Sequence, residues 1–171
     1  YDLTGLPPTP EQVRDFLSDT SSKAFEKLVE RLLATPRYGE RWGRHWLDLV
    51  RYADTAGDAS DFPVPEAYKY RNYVIDAFNR DKPYDQFVGE LIAADGSNSP
   101  GQPDFNGAVN FVLDNLEQNG VSATAKTSRL FLGMQVQCTQ CHNHPFNDWK
   151  QDQFWEMNAF FKQAKALRTF G

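Results

Sequence analysis

The chain has 171 residues and a formal net charge of -5, with 40% hydrophobic and 14% aromatic residues. That length allows one domain with a real core. The acidic balance, with no basic run, excludes an electrostatic nucleic-acid surface, and no apolar stretch reaches the ~20 residues that span a bilayer.

Taken in chain order, the pattern is helical nearly throughout. Thr9-Pro10-Glu11-Gln12 reads as a helix start, with a capping threonine, a proline in the first turn and a glutamine three residues on. Phe25, Leu28, Val29, Leu32 and Leu33 then recur at helical spacing until Pro36. In the next segment Trp42, His45, Trp46, Leu49, Val50 and Ala53 share one face, which predicts a buried stripe with His45 inside it. Arg41, Arg44, Asp48 and Arg51 fall mostly elsewhere.

The acidic stretch Asp54 to Asp61 reads as a solvated turn, with calcium as the alternative, although its spacing is not that of an EF-hand. Helices are expected from about Pro65 to Asn79 and from about Tyr84 to Ala93. The Gly-, Ser- and Pro-rich stretch Asp95 to Gly107 is a long surface loop. Beyond it, helices are expected over Ala108 to Gln118, stopped by Gly120, over Ser122 to Gln135, and over Asp148 to Lys165 with Phe154, Met157 and Phe161 on one face. The reading is all-α, a single domain over residues 1–171 with about seven or eight helices.

Chemistry is concentrated in one place. Both cysteines and two of the three histidines lie in Cys138-Thr139-Gln140-Cys141-His142-Asn143-His144. The first five of these are C-x-x-C-H, the spacing at which a c-type haem is attached. Two thiols three positions apart can each add to one porphyrin vinyl group, and the histidine after the second becomes the proximal axial ligand. A redox dithiol would expect a βαβ surround, which is absent. A zinc ion held by Cys138, Cys141, His142 and His144 would crowd four ligands into seven residues, and a disulfide or inert pair is the remaining alternative.

The haem reading gives His45 a task. His142 takes the proximal side, and His144 is too near it to reach the opposite face of the same iron. His45 is therefore the candidate distal ligand, with Met157, Met134 or an open position as alternatives. About three quarters of the chain precede the motif, the reverse of the small class I cytochrome c order, so a different helical arrangement around the haem is expected. The aromatic side chains suit the walls of such a crevice.

These residues also carry a resemblance. Tyr1-Asp-Leu-Thr-Gly-Leu-Pro-Pro-Thr9, Tyr38-Gly-Glu-Arg-Trp-Gly-Arg-His45-Trp-Leu-Asp48 and Arg51-Tyr-Ala-Asp54 resemble the second planctomycete-type cytochrome C domain. So do Tyr70-Arg-Asn-Tyr-Val74, Phe78-Asn-Arg-Asp-Lys-Pro-Tyr-Asp-Gln-Phe87, Phe131 to Cys138 and Cys141-His-Asn-His-Pro-Phe146. The resemblance covers almost the whole chain. It implies a piece of a large exported protein, often with another cytochrome c domain upstream and an uncharacterised domain downstream. It also implies roles for His45 and for His144, the latter as a bond to a haem propionate, a ligand to a neighbouring haem or a residue that orders the turn. Asn143 stands where relatives often carry aspartate.

The expected function is electron transfer through one covalent haem c, held by Cys138, Cys141 and His142. Its partner would be a redox protein or a neighbouring haem domain, in the periplasm or at the cell surface, where c-type attachment takes place. The start Tyr1-Asp2-Leu3 is neither a methionine start nor a signal peptide, so the chain is read as a mature or excised piece. One alternative is haem catalysis at an open sixth position, with His45 as an acid–base group and Arg41 or Arg44 polarising a bound oxygen species. The other is a non-haem structural module.

Overall fold

The computed structural model describes residues 1–55 and 61–164, with residues 117 and 118 by backbone alone. Among these residues it contains eight α-helices, two 3-10 turns and no named strand, as the helical periodicity predicts. The chain divides into two compact units, Tyr1–Phe87 and Val88–Gly171.

The first unit holds α1 (Pro10–Ser18), α2 (Ala24–Leu33), α3 (Pro36–Leu49) and α4 (Tyr68–Asn79). The start of α1 is the expected capping box: Gln12 N–H donates to Thr9 Oγ1 at 3.2 Å, and Thr9 N–H donates to Gln12 Oε1 at 2.9 Å. Pro36 does not merely end α2. It opens α3, where its missing N–H costs nothing because a first-turn N–H has no partner inside the helix.

The packing of α3 on α4 corrects the sequence reading of its face. The buried residues of α3 are Gly39 and Gly43, and Val50 just beyond its end is buried too. Trp46 is half-buried. A side chain at Gly39 would collide with the Ile75 carbonyl, so the missing Cβ is what lets the two backbones approach. Gly39 N–H donates to Asn79 Oδ1 at 2.8 Å, and Trp46 Nε1–H donates to the Tyr70 hydroxyl at 2.8 Å. Trp46 and Phe87 make a T-shaped pair with centroids 4.9 Å apart, and Tyr73 stacks on Phe87 at 5.7 Å. Trp42, His45 and Leu49 consequently face outward and are exposed. Weighing only large apolar residues rotated the predicted face away from the glycine pair. Phe25 in α2 is likewise 70% exposed.

α5 (Tyr84–Ala93) has the expected bounds, and the boundary between the units falls inside it, ahead of the loop that the sequence marks as its one clear break. The second unit continues with that loop, where Ser97 and Phe105 pair as an isolated bridge. Then come a 3-10 turn (Gly107–Val109), α6 (Asn110–Leu113), α7 (Glu117–Leu132), a 3-10 turn (Gln137–Gln140) and α8 (Gln151–Phe161). The expected stop at Gly120 survives as a distortion. Asn119 and Gly120 adopt positive φ of 60° and 82° within the first turn of α7, and helical structure resumes at once. A Cβ at Gly120 would lie 2.8 Å from that of Phe161 on α8.

α7 packs on α8 through a core of Val121, Val136 and Phe154, against which Met134 and Trp149 lie. α8 is shorter than expected, ending at Phe161, and Lys165 lies outside the described residues.

Candidate functional site

The cysteines lie on a 3-10 turn suspended from the core of the second unit. Thr139 is buried, and its hydroxyl donates to the Val136 carbonyl at 2.6 Å. Val136 itself belongs to the α7–α8 core, so the turn is tied down by the residue between the cysteines. With three residues per turn, positions i and i+3 of a 3-10 helix eclipse one another. Cys138 sits in this turn and Cys141 caps it, its N–H donating to the Cys138 carbonyl at 3.3 Å. With Thr139 turned inward, both cysteines are exposed, and both are free thiols.

His142 follows on the exposed side. Its Nδ1 lies 2.7 Å from the Asn143 carbonyl oxygen. A carbonyl oxygen can only accept, so this contact calls for the proton on Nδ1, the tautomer in which Nε2 keeps its lone pair. This is the protonation pattern of an imidazole that ligates through Nε2.

His144 is arranged in the opposite sense. Its Nδ1 accepts from the N–H groups of Phe146 and Asn147 at 3.1 and 3.0 Å, so that nitrogen has no proton and no free lone pair. Its own N–H donates to the Trp149 carbonyl at 2.9 Å. Of the roles implied for His144, ordering the turn is the one these bonds perform.

Bonds from α8 complete the frame. Gln151 Nε2 and Trp155 Nε1 both donate to the Gln140 carbonyl, at 3.1 and 3.2 Å, and Gln151 N–H donates to Asn143 Oδ1 at 3.0 Å. Gln140, Asn143, Gln151 and Trp155 were not singled out from the sequence, because their bonds join positions 8 to 15 residues apart that share no motif. Phe146, two residues beyond His144, is 91% exposed and sets an apolar ring among exposed Asn143, Asn147 and Asp148.

His45 belongs to the first unit and the C-x-x-C-H segment to the second. His45 is exposed, not buried as the stripe suggested, and its ring makes a T-shaped contact with that of Trp42, centroids 5.4 Å apart. Among the described residues its ring nitrogens make no hydrogen bond. Arg44 pairs with Asp48 at 4.0 Å, while the Arg41 side chain lies against Gly5. The methionines are engaged in packing: Met134 lies on the α7–α8 core, and Met157 Sδ accepts from the Ser128 hydroxyl at 3.2 Å. Residues 56–60, which include Asp58 of the calcium alternative, lie outside the described residues.

Among the described residues no group of three or more His, Cys, Asp or Glu side chains is placed to hold a metal ion, so Cys138, Cys141, His142 and His144 do not converge as a zinc site would require. The donor set fits a c-type haem instead: two free outward thiols at i and i+3, then an imidazole with its Nε2 lone pair available. No helix among the described residues is long and apolar enough to cross a membrane.

Compared with known proteins, the chain matches over residues 1–166 the family PSCyt2, described as a protein of unknown function (DUF1549). No curated protein and no solved structure matches it.

Proposed function

We propose, from the premise that this chain belongs to the PSCyt2 family of planctomycete-type cytochrome C domains, that it carries one covalent haem c and serves electron transfer. The observation that carries this reading is the opposite setting of two neighbouring histidines. His142 holds its proton on Nδ1 and offers Nε2, whereas His144 spends Nδ1 on two backbone N–H groups. One is built as a ligand and the other as a brace.

Cys138 and Cys141 are the thioether anchors and His142 the proximal ligand. Bound there, the haem supplies a one-electron redox couple. Thr139 anchors the attachment turn to the core, and His144 keeps the following loop closed. Exposed Phe146 provides apolar surface beside the anchors that a porphyrin would cover. His45 is the candidate for the second axial position, its exposed ring making no hydrogen bond among the described residues. The partner is a redox protein or a neighbouring haem domain, and the compartment is the periplasm or cell surface, where c-type haem is attached.

The test is a visible spectrum, oxidised and dithionite-reduced, of the chain made in a host competent for cytochrome c maturation. Sharp reduced α and β bands, with haem retained through denaturation, are expected. Retained haem with a high-spin spectrum would replace electron transfer by the catalytic alternative. A colourless exported chain would overturn the haem reading.

A further inference from the structure

We propose that Gln151 and Trp155, one turn apart on α8, act with Asn143 as positioning residues that set His142 as a ligand before any haem arrives. The inference rests on the haem reading only for what His142 finally binds. The Gln140 carbonyl has two acceptor lone pairs, and the side chains of Gln151 and Trp155 occupy both. The peptide immediately before Cys141 is thereby pinned to α8.

On the other side of His142, the N–H of Gln151 is one of the first-turn donors that a helix cannot satisfy internally, and it is met by Asn143 Oδ1. One residue therefore holds the turn at both ends, through its side chain upstream of Cys141 and its main chain downstream of His142.

The consequence falls on the imidazole. The His142 ring bonds to the carbonyl of the very next residue, a contact that exists only at particular backbone angles of residues 142 and 143. A neutral histidine in water prefers its proton on Nε2, which would block the ligating nitrogen. The Asn143 carbonyl, in a peptide whose N–H is held by the Trp149 carbonyl and next to a side chain held by Gln151, reverses that preference. Gln151, Trp155 and Asn143 act through His142 rather than on the iron, in the manner of the outer partners that orient metal-bound histidines.

The tautomer is read by 15N NMR of the His142 ring in the full chain purified without haem, both cysteines reduced, at a pH well above the usual histidine range. The wild-type chain is expected to show the Nδ1–H form. Q151A/W155F, which removes both donors to Gln140, is expected to shift the ring to mostly Nε2–H while helix content is retained. W155F alone removes one N–H and keeps the ring, and gives a partial shift should the double variant fail to fold. N143D preserves the Oδ1 acceptor and retains the Nδ1–H form, whereas N143A loses it.

A wild-type chain in the Nε2–H form, folded or not, overturns the proposal, and so does an Nδ1–H form that survives in Q151A/W155F. Because the tautomer is read without haem, a colourless matured chain would sink the cytochrome reading and leave this measurement to stand or fall by itself.

Discussion

Gly39 and Asn79 hold α3 and α4 together by a reciprocal clasp: Gly39 N–H donates to Asn79 Oδ1 at 2.8 Å, and Asn79 Nδ2 donates to the Pro36 carbonyl at 3.2 Å. A Cβ at Gly39 would meet the Ile75 carbonyl and come within 2.6 Å of Asn79 Cγ. Neither α4 backbone nor the clasp can move aside cheaply. G39A should therefore destabilise the protein by about 2–4 kcal/mol. Gly89 in α5 is the control, since a Cβ there meets nothing within 4 Å. G89A should stabilise by up to ~1 kcal/mol through helix propensity. Urea unfolding of both variants checks the pair, and equal effects would refute the close-approach argument.

Histidines 142 and 144 should separate cleanly. H142A removes the exposed Nε2 donor, and the reduced low-spin bands should disappear. H144A removes an acceptor for two backbone N–H groups and should cost about 1–2 kcal/mol, with covalent haem and low-spin bands retained. If H144A lost the bands and H142A kept them, the two roles would have to be exchanged.

His45 is exposed, and its ring packs against that of Trp42 in a T-shaped contact. H45A should therefore change folding stability by no more than about 0.5 kcal/mol. Its effect is expected in the spectrum instead, as a change from low-spin to high-spin iron. An unchanged low-spin spectrum would remove His45 from the axial position.

Asp114 offers a pH test. Desolvation of its carboxyl raises its pKa from 3.8 to about 6, and the positive charge of Lys126 opposes the rise. The residue as a whole is exposed, so solvent screens much of this effect. Between those two values the folded chain binds more protons than the unfolded one, so this contribution to stability is complete below 3.8 and is lost as pH rises through about 6. After solvent screening the loss is about 1 kcal/mol. D114N should be the more stable form at neutral pH and lose that advantage in acid. Thermal unfolding across the range decides it, and an advantage confined to low pH would reverse the sign argued here.

Local chemistry was legible without coordinates. The Thr9–Gln12 capping box and the bounds of α5 follow from contacts within a few residues, and so does the C-x-x-C-H spacing. The sequence alone determined that the chain is helical and that Cys138, Cys141 and His142 share one short segment. Tertiary structure decided which surfaces are hidden. The glycine pair of α3 carries no hydrophobic signal, yet it selects the packed face and leaves His45 outside. Distance along the chain hid the rest: the bonds of Gln151 and Trp155 to Gln140, and of Gln151 to Asn143, leave no periodic trace in sequence. His142 Nδ1 lies against the Asn143 carbonyl while His144 Nδ1 accepts from two backbone N–H groups, a difference between neighbouring histidines that only the folded chain displays.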